Sequence, residues 1–98
     1  MYKFKITSKH RSAAKKLGVT IKESTSGYKK LDVFKKNRLI ARIGDRRYSD
    51  YVTYLREEKA GMLPPGYASK RRRLYRIRHD GEQYNIASPG YYAYYILW

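Results

Sequence analysis

The chain contains no cysteine. That excludes a disulfide-stapled miniprotein, and with it thiolate zinc sites and thiol chemistry. Histidine occurs only at positions 10 and 79, so candidates for a general base near neutral pH are few. Carboxylates are scarce too: 8 Asp and Glu stand against 23 Lys and Arg, a formal charge of +15. No stretch approaches the ~20 apolar residues of a membrane span. The first residues carry no apolar run of the signal-peptide kind, which predicts a protein kept where it is made or packaged from there. A glycine-rich phosphate loop and metal-ligand spacings are also missing. At 98 residues the chain has room for one domain and none for a two-domain enzyme.

What is present points to a folded module. Hydrophobic residues make up 42% and aromatic residues 15%, with twelve tyrosines, which is too much apolar surface for a disordered basic tail. The charge is uneven. Residues 1–48 hold 15 Lys and Arg against Glu23, Asp32 and Asp45, and five more basic residues lie between Lys70 and Arg76. After Arg78 no basic residue follows. A cationic body therefore carries an aromatic final segment, and a surplus this large attracts polyanions.

Periodicity predicts a strand over Tyr2–Ile6, a helix over Ser8–Leu17 stopped by Gly18, and a strand around Val19–Ile21. Tyr28–Lys35 and Arg38–Ile43, split by Lys36-Asn37, read as a hairpin. Leu31 and Val33 share one of its faces, and Leu39, Ala41 and Ile43 are expected together. Ser49 or Asp50 caps a helix to about Lys59, and Pro64-Pro65 interrupts. The next helix, Ala68–His79, is expected to turn Leu74 and Ile77 inward with Tyr75 beside them, leaving Arg72, Arg76 and His79 toward solvent. Ser88 and Pro89 open a last short helix. Tyr91, Tyr94, Tyr95 and Trp98 form its aromatic stripe; Tyr92 falls off the stripe and is expected to be exposed. With Tyr51, Tyr54 and Leu55, these inward residues make the predicted core. Ile96-Leu97-Trp98 is expected to be buried, in its own domain or in a partner's groove.

Two basic clusters carry the functional reading. Lys70, Arg72, Arg73 and Arg76 on a helix present guanidinium groups able to hold phosphates bidentately. Lys29, Lys30, Lys35, Lys36, Arg38, Arg42, Arg46 and Arg47 surround the hairpin, as in ribbons that track a nucleic-acid backbone. The alternatives are a solvated helix face with internal Arg–carboxylate pairs, and edge lysines that guard against aggregation. Tyr92, Tyr95 and Trp98 are the candidate partner contacts. Asp45, Asp50, Glu57 and Glu58 offer a nuclease-like Mg²⁺ reading, but acids beside a helix start more often serve its cap and dipole. No catalytic residue, metal site or cofactor is assigned.

Three motifs recur together: Ile43-Gly44-Asp45-Arg46-Arg47-Tyr48-Ser49-Asp50-Tyr51; Arg72-Arg73-Leu74-Tyr75-Arg76-Ile77-Arg78-His79; and Ser88-Pro89-Gly90-Tyr91-Tyr92-Ala93 with Leu97-Trp98. In this order they resemble a family of short basic proteins of large nucleocytoplasmic DNA viruses, the chlorella-virus and mimivirus kind. The resemblance covers roughly residues 28–98 and leaves 1–27 as a variable region. It departs at Asp80-Gly81-Glu82-Gln83, where many relatives carry basic residues. It implies a virion-associated protein, found in host cytoplasm or nucleus during assembly, and supplies no catalytic residues.

The expectation is one α+β domain, a small antiparallel sheet built on the central hairpin and packed by two or three short helices. Its expected role is that of a non-enzymatic virion structural component whose Lys/Arg face meets capsid proteins or packaged nucleic acid without sequence specificity. No small-molecule substrate is expected. The runner-up is a free nucleic-acid-binding accessory protein in viral replication or transcription.

Overall fold

A computed structural model describes residues 4–98. Helix α1 (Ser8–Lys16) leads into three strands, β1 (Thr20–Glu23), β2 (Lys29–Lys35) and β3 (Arg38–Asp45). Then come α2 (Tyr51–Lys59), α3 (Tyr67–Arg78), a single 3-10 turn (Glu82–Tyr84) and α4 (Pro89–Ile96). The strands form one antiparallel sheet in the order β1-β2-β3, so the fold is α+β as expected. The expected strand at Tyr2–Ile6 does not form over its described part: Phe4–Ile6 has no strand conformation, and Tyr2 and Lys3 lie outside the described residues. Phe4 is instead buried against the His10 ring, 5.2 Å between centroids.

The hairpin forms as its turn residues require. Lys36 and Asn37 both take positive φ, 51° and 63°, the pattern of the tight turn whose twist matches the strands. The pairing then slips by one. Val33 faces Ala41 and Phe34 faces Leu39, which leaves Ile40 as an extra residue on β3. Such a bulge reverses the side-chain alternation beyond it. Ile40 therefore packs against the core, while Leu39 is 42% exposed.

The aliphatic core joins Val19, Ile21, Leu31, Val33, Ala41 and Ile43 to Ala14 of α1 and to Tyr92, Ile96 and Leu97 at the end of the chain. Helix α4 lies against β3 and α1, and α2 and α3 pack mainly on each other. Tyr92 is thus a core residue, 5% exposed, contrary to expectation. It shares the inner side of α4 with Ile96 four residues on, whereas Tyr91 and Tyr94 are half-buried and Tyr95 is exposed.

Helix α3 is rotated from its expected phase. Ile77 is 66% exposed and Leu74 only half-buried. The inward side runs through Ala68, Arg72, Tyr75 and His79, at i, i+4, i+7 and i+11. Aromatic and guanidinium stacking, rather than aliphatic packing, fixes this face. Tyr75 lies flat between His79 at 4.1 Å and Trp98 at 4.4 Å. The Glu58 carboxylate of α2 accepts the Ala68 amide at 2.9 Å, closing the first turn of α3 where Gly66 has no side chain to do so.

Candidate polyanion interface

The expected basic residues fall into three environments. At the hairpin tip, Lys35, Lys36 and Arg38 are exposed, and none has a carboxylate partner among the described residues. Lys35 and Arg38 are directly paired across the strands. Opposed like charges at that spacing repel by a few tenths of a kcal/mol or more. Lys29, Lys70 and Arg73 are exposed as well.

A second group is committed to internal pairs. Arg42 donates to Asp32 at 3.2 Å, and Arg46 reaches Glu23 at 3.5 Å and the Ser24 carbonyl at 3.0 Å. Arg47 grips Asp45 through Nη2 at 2.8 Å and Nε at 3.1 Å. Those bonds from Arg47 hold the Asp45 carboxyl down at about 2. Burial works against ionisation of Asp32, but hydrogen bonds from Ser24, the Thr25 amide and Arg42 outweigh it and lower its pKa. Arg47 keeps an exposed side chain and lies over the Tyr48 ring.

The third group is structural, which corrects the expectation. Arg72 and Arg76 are half-buried and tied inward: Arg72 Nε donates to the main-chain oxygen of Trp98 at 2.7 Å and Arg76 Nη2 to the same oxygen at 3.2 Å. Their guanidinium groups also cover Tyr51 and Tyr94 at 4.4 and 4.8 Å. His79, expected outside, stacks on Tyr75 and places Nδ1 3.0 Å from Glu82. Of the candidate contact rings, Tyr95 alone is exposed; Trp98 is half-buried between Tyr54 and Tyr75.

Lys30 is also withdrawn from the surface. It is 1% exposed although its place beside Leu31 in an alternating strand reads as outward. Its ammonium lies 5.7 Å from the centre of the Phe4 ring, and burial lowers its pKa to about 8 against the attraction of Asp50 and Asp45. Gly44, paired beside it, leaves no room for a side chain: at φ 78° an added Cβ would stand 2.8 Å from Leu97 and 3.0 Å from the Lys30 stem.

Lys30 borders a buried polar cluster that no spacing rule reveals. His10 Nε2 donates to Asp50 Oδ2 at 2.7 Å, and Thr53 donates to Asp50 Oδ1 at 2.6 Å. The Thr7 amide donates to His10 Nδ1 at 3.0 Å, which assigns the ring proton to Nε2. Burial disfavours the charged carboxylate of Asp50, yet the bonds from His10 and Thr53, with the Lys30 charge, bring its pKa below the ordinary value. Both ring nitrogens of His10 are engaged and the pair is shut off from solvent, so its place is that of a clasp between α1 and the start of α2.

Sequence reasoning also passed over Lys9, Arg11, Lys15 and Lys16, all exposed on α1. Among the described residues, no group of three or more His, Asp or Glu is placed to hold a metal ion. No helix among them is long and apolar enough to cross a membrane. Compared with protein-family models, curated proteins and solved structures, the chain matches none.

Proposed function

We propose that this chain is a non-enzymatic basic binding module that docks on polyanions, nucleic acid foremost, through its hairpin tip. One observation carries the reading. Three cations stand within residues 35–38, two of them directly opposed, with no carboxylate partner among the described residues. Further along the same hairpin and just past it, Arg42 and Arg47 are each paired with a carboxylate, Asp32 and Asp45. Leaving the tip unneutralised costs stability, which an anionic partner returns. The adjoining bulge fits this use, since bulges twist a strand end and re-aim its side chains.

The setting we propose is the virion of a large DNA virus, which rests on the motif resemblance. There the tip would meet packaged DNA or an acidic capsid surface. A mobility-shift series with double-stranded DNA tests the binding: a complex at low salt that dissolves steeply as salt rises supports it, and no complex at low salt refutes it. Protein identification on purified particles tests the setting.

A further inference from the structure

We propose that the cleft between the α2–α3 pair and the sheet–α4 body binds a nucleoside phosphate, either free or as one nucleotide of a strand. The inference rests on the nucleic-acid reading for its choice of ligand, though its residues are different ones. The cleft has a volume of about 710 Å³, within the range of small-molecule sites. One wall is the ring stack His79–Tyr75–Trp98. Lys29, Arg71 and Arg78 add positive charge. Of the cleft's two carboxylates, Asp45 is held by Arg47, and Glu82 Oε2 lies 3.0 Å from His79 Nδ1. The surplus is cationic, beside flat aromatic surface.

Three buried atoms in this lining have no hydrogen-bond partner among the described residues, Ser49 Oγ, Arg71 Nε and Glu82 Oε2, and the first two can donate to an anion. A buried donor without an acceptor is costly, and a guanidinium N–H can be satisfied only by an acceptor. Arg71 is set by the Tyr54 ring of α2, 6.0 Å from its guanidinium carbon. A phosphate oxygen accepts from Arg71 Nε and from the Ser49 hydroxyl alike. The attached base and sugar then meet the ring wall, which bare phosphate cannot use.

Trp98 is the chain's one tryptophan and lines the cleft, so its fluorescence reports occupancy there. Adenosine monophosphate, a 5′-phosphorylated dinucleotide and inorganic phosphate are titrated separately into the full chain. A saturable change in Trp98 emission with the mononucleotide, the dinucleotide or both is expected, at least about tenfold tighter than with inorganic phosphate. A response to the dinucleotide alone places the ligand in a strand, and a response to the mononucleotide alone makes it a free nucleotide. Arg71→Gln should weaken binding by about tenfold or more, since a hydrogen bond to a charged group is worth ~1.5–3 kcal/mol. Ser49→Ala, whose hydroxyl holds nothing in the fold, should weaken it several-fold with an unchanged circular dichroism spectrum. The proposal falls if neither nucleotide gives a saturable signal, if inorganic phosphate binds as well, or if Ser49→Ala binds like the parent. Gln at Lys35, Lys36 and Arg38 should leave the mononucleotide titration unchanged. Loss of the cleft signal with salt-steep DNA binding intact refutes the cleft alone, and the reverse refutes the tip alone.

Discussion

His10 Nε2 lies 2.7 Å from Asp50 Oδ2, forty residues away in the chain, and both side chains are wholly buried. The bond ties α1 to the start of α2. Removing one partner leaves the other without its partner in a medium that solvates it poorly. His10→Ala should therefore cost about 3–5 kcal/mol in urea unfolding, while an exposed change such as Lys9→Ala stays within about 0.5 kcal/mol. A loss at His10 below about 1 kcal/mol would show that the clasp contributes little.

Acid should loosen the same clasp. Asp50 and Asp32 both have folded pKa values below their ordinary ones. A depressed carboxyl contributes stability that is complete above its unfolded pKa, about 3.9, and is lost as pH falls through the folded value. The unfolding midpoint should hold down to about pH 4–5 and then fall, with Asp50→Asn showing a smaller acid loss than the parent.

Lys30 runs the opposite way. Its folded pKa of about 8 lies below the unfolded 10.5, so between these values the unfolded chain binds more protons. Stability from this group therefore rises with pH across that window, by an upper limit of about 3 kcal/mol. Tyr75, pushed up to about 12 by burial, works against it only once unfolded tyrosine ionises near pH 10. Comparing Lys30→Met with the parent between pH 8 and 10 isolates the lysine. The variant should be flatter and at least as stable at pH 7; a variant with the parent's slope would contradict the assignment.

The arginines of α3 should separate into two classes. Arg72 and Arg76 together hold the main-chain oxygen of Trp98, so their joint replacement by Ala should cost about 2–4 kcal/mol and change Trp98 emission. Arg73 is exposed, and Arg73→Ala should leave stability within about 0.5 kcal/mol. Equal effects would contradict the division.

The sequence displays these roles unevenly. Asn37 in a tight turn and the Ser88-Pro89 helix start are local chemistry, and the structure follows them: Ser88 accepts the Tyr91 amide at 3.1 Å. Leu39 is misplaced in a reading by alternation because one extra residue, Ile40, resets the face. Arg72 and Tyr92 are misplaced because periodicity assigns arginine to solvent and aromatic stripes to the core. Here guanidinium stacks on tyrosine, and an aliphatic partner, Ile96, marks the inner side of α4. The His10–Asp50 bond has no local signature, since it exists only once the chain between them has folded.

The central claim is that an unneutralised hairpin tip makes the polyanion contact, and the salt dependence of DNA affinity tests it most directly. Each phosphate neutralised adds about 0.9 to the slope of log affinity against log salt on duplex DNA. Replacing Lys35, Lys36 and Arg38 together by Gln should flatten that slope by about 2–3 while the unfolding midpoint holds or rises. An unchanged slope in a folded triple variant would contradict the account.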